Sequence, residues 1–199
     1  ATLLAQQENA VHTRLVDTLR ELHVATPPDK RDAFLSQLLI DNDPSIATLG
    51  FELVRRQMSE GASVGPLATQ AVLKLLRHNL DTVRANAAIL VSQLAPADAA
   101  PQLADAIANE TSPPVVSALL VAALPYADAL PPQILVHALS VPGPHQSAAV
   151  DLGFAMLRAG TVETIDARRE LLLAARRQLG ERNPTWSVCH VLGILGDNS

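Results

Sequence analysis

Residues 73–94 read LKLLRHNLDTVRANAAILVSQL. The run closes one apolar helix at Leu75 and Leu76, breaks at the polar Arg77-His78-Asn79, and opens a second helix behind Asp81, which can cap it. Ala and Leu dominate the interior positions, so two helices joined by a short turn can pack closely over small side chains. A single hairpin of this kind cannot bury its own apolar face, and stacking neighbours would make one continuous core. Whether the unit recurs along the chain is therefore decisive.

It does recur. DPSIATLGFELVRRQ, LDTVRANAAILVSQL and SPPVVSALLVAALPY align with Ile46, Val83 and Val115 in register, offset by 37 and 32 residues. The helices that precede them, GPLATQAVLKLL, AAPQLADAIA and PPQILVHALS, align Pro66, Pro101 and Pro131, offset by 35 and 30. GPHQSAAVDLGFAMLRAG and NPTWSVCHVLGILGD continue the pattern in looser register. The periodicity predicts helices near 29–40, 43–60, 64–79, 81–95, 98–110, 113–125, 131–140, 145–159, 162–180 and 184–196. Asp43-Pro44 and Ser112-Pro113 each place a capping side chain before a proline at the first helical position. Ahead of these, residues 1–26 form one longer helix with an apolar stripe of Leu4, Val11, Leu15, Leu19 and Leu22, ended by Pro27 and Pro28. It is placed to cap the stack, and 27–199 reads as a single continuous repeat domain.

Composition agrees. Of 199 residues about a third are Ala or Leu, and aromatics supply only 3%. That suits helices and not a β-sandwich, which needs β-branched and aromatic residues at alternating positions. A net charge of −5 with only two lysines, Lys30 and Lys74, argues against nucleic acid as a partner, whose phosphates are held by clustered cations. One cysteine, Cys189, excludes an internal disulfide and a cysteine-based zinc cluster. No apolar run approaches the length of a membrane span. No signal-peptide pattern is visible, which favours a cytoplasmic location.

On these residues the chain resembles the HEAT/armadillo superfamily of α-solenoids. LKLLRHNLDTVRANAAILVSQL is similar to that family's LL-x-D-x-D-x-x-VR-x-x-A pattern through Leu75, Leu76, Val83, Arg84 and Ala87, with His78 where the family usually carries Asp. One repeat earlier Asp41 fits the acidic position but Ala47 replaces the Arg, so the polar ladder between repeats is expected to be incomplete. The resemblance implies an all-α solenoid of about five hairpins whose second helices line a concave face. It carries a fold and almost no chemistry.

The search for chemistry returns little. DNDPSIATLGFE, residues 41–52, has the oxygen spacing of a calcium loop, but Ile46 stands where the sharp turn needs Gly, so a turn and helix cap are expected. Cys189 and His190 adjoin, and neighbouring helical residues diverge too far to share an ion. Cys189 reads as a small buried residue and Trp186 as a buried filler of the terminal repeat. Asn109-Glu110-Thr111 is a glycosylation acceptor sequence that arises often by chance. No metal, cofactor or catalytic set is expected.

Arginine pairs are the most informative polar feature: Arg55-Arg56, Arg168-Arg169 and Arg176-Arg177. A concave face would gather Arg55, Arg56 and Arg84 into a basic patch able to grip an acidic peptide or protein surface. The competing reading is a solvated surface neutralised by Glu52, Glu60, Glu163 and Glu170. The function expected is a non-enzymatic scaffold for a protein partner. The alternatives are enzymes that the resemblance admits, an alkylbase DNA glycosylase or a bilin lyase. The acidic charge and the scarcity of aromatics oppose the first, and no residue specifically requests the second. Deoxyhypusine hydroxylases share the architecture but need repeated His-Glu pairs, which this chain lacks.

Overall fold

Every helix that the periodicity predicts forms. A computed structural model describes residues 2–140, 143–180 and 184–196, and for 2–9 the backbone alone. The order is α1 (Thr2–Ala25), α2 (Pro28–Leu39), α3 (Pro44–Ser59), α4 (Pro66–Leu75), α5 (Asp81–Leu94), α6 (Ala100–Asn109), α7 (Pro113–Ala123), α8 (Gln133–Ser140), α9 (Gln146–Ala159), α10 (Ile165–Leu179) and α11 (Trp186–Gly196). A short 3-10 turn, Leu124–Tyr126, follows α7, and no strand occurs among the described residues.

Local chemistry sets the ends. The Asp43 carboxylate accepts from Ser45 N at 2.8 Å and Pro44 occupies the first turn of α3, while Asp41 accepts from Asp43 N at 2.8 Å. The resemblance to a calcium loop is therefore a turn and a cap. Thr164 caps α10 through Ala167 N at 3.3 Å. Gly160 ends α9 in the left-handed region at φ 78°, which costs glycine no Cβ clash. Two expected caps do not form. Leu80, not Asp81, stands at the N-cap of α5 with no side-chain capping bond, and Asp81 falls inside the first turn. The Ser112 hydroxyl does not reach the first turn of α7, because it bonds to Asp81 instead.

Contacts divide the chain into two compact units, Ala1–His78 and Asn79–Ser199, with the boundary inside the stretch that reads in sequence as one continuous domain. In the first unit α2 packs on both α3 and α4 through a core of Leu35, Leu39, Phe51, Val54, Ala68 and Val72. Gly50 lets α3 approach α2 closely: a Cβ there would lie 3.0 Å from Leu39 N. Asp32 of α2 caps α4, accepting from Leu67 N at 3.0 Å and Ala68 N at 2.9 Å. Any side chain at Gly65 would strike that carboxylate, so the glycine and the cap form one device.

The first helix departs from expectation. It lies against α3, but through a face carrying His12, Val16, Leu19, Arg20 and His23, which are the half-buried positions. The pairs are polar and aromatic: Arg20 to Glu52 at 3.2 Å, His12 to Asp43 at 3.7 Å, and His23 stacked on Phe34 at 6.0 Å. Of the expected stripe, Val11, Leu15 and Leu22 stay exposed, and Leu4 lies outside the described side chains. Amphipathic period alone does not say which of two adjacent faces wins when ion pairs favour the other.

In the second unit the helices form two rows. The sequence-odd helices α5, α7, α9 and α11 each touch the next of their row, as do α6, α8 and α10, and α6–α7, α8–α9 and α10–α11 pack across as hairpins. Gly153 makes room for Leu171, which an added Cβ would overlap. Hydrogen bonds between hairpins recur at a near-constant separation. Tyr126 donates to Pro96 O (30 residues apart), Thr161 to Ala127 O (34), Thr185 to Asp151 (34) and Arg177 to Leu139 O (38). These spacings match the offsets found in the sequence, and the packing is compatible with a helical-repeat fold.

Because the Asp32 cap serves two backbone donors of a different helix, Asp32→Ala is expected to cost about 1–2 kcal/mol in urea denaturation, and Gly65→Ala to destabilise as well. Wild-type stability in both variants would show that the cap contributes nothing.

Candidate interaction surface

The three arginines singled out from sequence have different fates. Arg56 forms an exposed i,i+4 pair with Glu60 at 2.8 Å on α3, and Arg55 beside it is half-buried with a partner within the fold. Glu52, expected to neutralise that surface, is engaged with Arg20 of α1. Both residues belong to the first unit and Arg84 to the second.

Arg84 is a joint. Its Nε and Nη2 bind Glu110 Oε2 and Oε1 at 2.6 and 2.9 Å, Nη2 also reaches Asp81 at 2.8 Å, and Nη1 donates to Asn79 O at 3.1 Å. Glu110, at the end of α6, further accepts from Thr111 N and Ser112 N at 2.9 and 2.8 Å. The Arg84 side chain is 15% exposed and that of Glu110 4%. Burial pushes the Glu110 carboxyl up, but the guanidinium and the two backbone donors outweigh it and hold it below the ordinary carboxylate value. The Ser112 hydroxyl, seconded by Arg84, holds Asp81 low as well.

This pairing supplies one polar rung between repeats, while Ala47 and His78 still depart from the pattern in the earlier ones. Glu110 stands five residues before Val115, as His78 does before Val83 and Asp41 before Ile46. The acidic position missing at His78 is thus occupied one repeat later. The register contained this signal, but a search for Asp alone passes over Glu.

The surface that sequence reading missed lies on α9 and α11. Trp186 and Cys189, expected to be buried, are both exposed, the Trp by 65%. Helix α11 is apolar at most positions, Ser187 and His190 apart, and Val188 and Val191 fill the side that packs on its neighbours. Position 186 falls on the other side. There the indole and the Phe154 ring meet at right angles with centroids 5.3 Å apart, and the His190 ring, one turn on, has its centroid 3.7 Å from that of the indole and 5.4 Å from that of Phe154. The Arg158 guanidinium sits 6.0 Å over Phe154, a cation–π distance. Arg158 also borders an open groove of about 370 Å³ lined by Leu124, Pro125, Ala127, Asp128, Ala155 and Ala159. Aromatic cluster and groove therefore share one side chain and form one surface.

That surface can hold a side chain by stacking and by a cation. Among the described residues no three His, Cys, Asp or Glu side chains converge as metal ligands, and no helix is long and apolar enough to cross a membrane.

Removing Arg84 strands a buried carboxylate, so Arg84→Ala is expected to cost about 3–5 kcal/mol, whereas Arg84→Met with Glu110→Met together costs far less. The Glu110 carboxyl is depressed, so its stabilisation is complete above its unfolded value of about 4.3 and is lost as pH falls through the folded one. Glu110→Gln should accordingly flatten the acid limb of the stability–pH curve. An acid limb identical to wild type would contradict the assignment.

No protein-family model, curated protein or solved structure matches this chain, so the geometry carries the functional reading.

Proposed function

We propose that the chain is a non-enzymatic binding scaffold, a HEAT-like row of helical hairpins that holds a protein partner against its second helices. The observation that carries this reading is the exposed Trp186, braced by Phe154 and His190 and joined through Arg158 to the groove beside Pro125. Exposing an indole to water forgoes the burial energy of the largest side chain, and aromatic anchors with an arginine at hand are the side chains that dominate protein interfaces. Two further observations support the same row. Ile89 on α5 and Val121 on α7 occupy equivalent positions, six residues after Val83 and Val115, and both are exposed. The partner would thus meet a series of apolar positions repeated from hairpin to hairpin. In the first unit Arg55 and Arg56 would steer an acidic partner by long-range attraction more than by contact energy.

Affinity capture from source lysate is expected to recover a stoichiometric protein. Trp186→Ala should fold as wild type, because the residue is exposed, yet lose that partner at least tenfold; Arg55→Glu with Arg56→Glu should slow capture in a salt-dependent way. As the only tryptophan, Trp186 reports directly: iodide should quench it in the free protein and be excluded in the complex. Equal recovery by Trp186→Ala, with the indole still quenched in the complex, would refute the site.

A further inference from the structure

The apolar stripe of α1 stays uncovered when that helix packs on α3. Val11 is 68% exposed, Leu22 49% and Leu15 43%. With Thr18 they stand four, three and four residues apart, so they run along one side of the helix at the spacing of a coiled-coil seam. The half-buried positions His12, Val16, Leu19, Arg20 and His23 lie about a third of a turn round the axis, which leaves the seam open. The Thr18 hydroxyl donates to Arg14 O at 2.8 Å, so it brings no unmet donor to that seam.

The charges beside the seam follow the same order. Arg14 and Glu21 flank it on the side away from α3, seven residues apart. Both are exposed, and neither side chain has a partner among the described residues. The other charges of the described part of the helix, Asp17 and Arg20, pair with each other at 3.1 Å, and Arg20 also holds Glu52. Turned end for end, the strip meets its own complement. Val11 comes level with Leu22 and Leu15 with Thr18, while Arg14 falls about 3 Å along the axis from Glu21. The next positions outward, Glu8 and Ala25, come level with each other, so no like charges oppose across the seam.

We infer that α1 is a self-association helix that docks antiparallel on the α1 of a second copy of this chain, across a two-fold axis between Val16 and Asp17. In such a contact whatever one residue offers its opposite must be offered back, so the surface has to be complementary to itself. This strip meets that condition in both its apolar layers and its charges, which a face shaped for an unrelated partner has no need to do. The charges also set the direction. In a parallel pair Arg14 would meet Leu19, and neither flanking charge would find its opposite. Exposed ion pairs contribute little each, so the seam supplies the affinity and Arg14 and Glu21 the orientation. The site lies in the first unit and does not rest on the Trp186 reading.

The test is the oligomeric state of the full chain, measured by sedimentation equilibrium over a wide concentration range at low salt. The wild type should form a dimer. Arg14→Glu and Glu21→Arg, each a change of an exposed side chain, should each weaken it about tenfold, because the two-fold axis makes every reversal count twice. The variant carrying both changes should return to wild-type affinity, and a mixture of the two single variants should form heterodimers. Val11→Ser with Leu22→Ser should abolish association while helicity stays at the wild-type level. A chain that remains monomeric at millimolar concentration, a dimer indifferent to Arg14→Glu, or a double variant no tighter than either single one would overturn the assignment. So would a monomeric chain that Val11 and Leu22 carry onto phosphatidylserine vesicles or onto a different protein.

Discussion

A helix of 8 to 16 residues in a two-helix hairpin has more apolar surface than its partner can cover, and the rest of this structure follows from that shortage. Each hairpin of the second unit leans on the next, odd helices on odd and even on even. Small side chains permit the approach: Ala87, Ala88, Ala122 and Ala123 are fully buried, and Gly153 admits Leu171. Polar groups follow the same rule. The side-chain bonds that join hairpins reach about one repeat along the chain, from Tyr126 back to Pro96 and from Thr161 back to Ala127. A contact at that separation belongs to the stacking of units and to no single helix.

The helices were legible because their signals are local. Proline after a capping residue, apolar positions at the helical period and polar turns mark starts and stops without help from the rest of the chain. The register of Ile46, Val83 and Val115 was legible for the same reason. What could not be read were choices between faces. On α1 the apolar stripe suggested burial of Val11 and Leu15, yet pairs such as Arg20–Glu52, which depend on another helix, bring a different face to α3. On α11 nearly every position is apolar, so the pattern holds no preference, and Trp186 faces outward beside Phe154.

The candidate surface was therefore the less readable part. Arg84 looked like a cation for a partner, and only the structure brings Glu110, 26 residues away, into its grasp. The residue types most often recruited for recognition are also those most useful as joints, and sequence spacing does not separate the two uses. Geometry separates them here: a guanidinium with a buried carboxylate on two of its nitrogens holds hairpins together, while one over a half-open aromatic cluster, as with Arg158, belongs to a surface.

The proposed row of hairpins requires that each hairpin be stabilised by its neighbours and not by one shared centre. Native-state hydrogen exchange on Leu120→Ala tests it most directly, since Leu120 is fully buried in α7 and its truncation should cost about 2–5 kcal/mol. Nearest-neighbour stacking predicts that protection falls most in α7 and the helices it touches, α5, α6 and α9, and leaves α2 and α3 close to wild type. An equal loss of protection in every helix from α2 to α11 would contradict it.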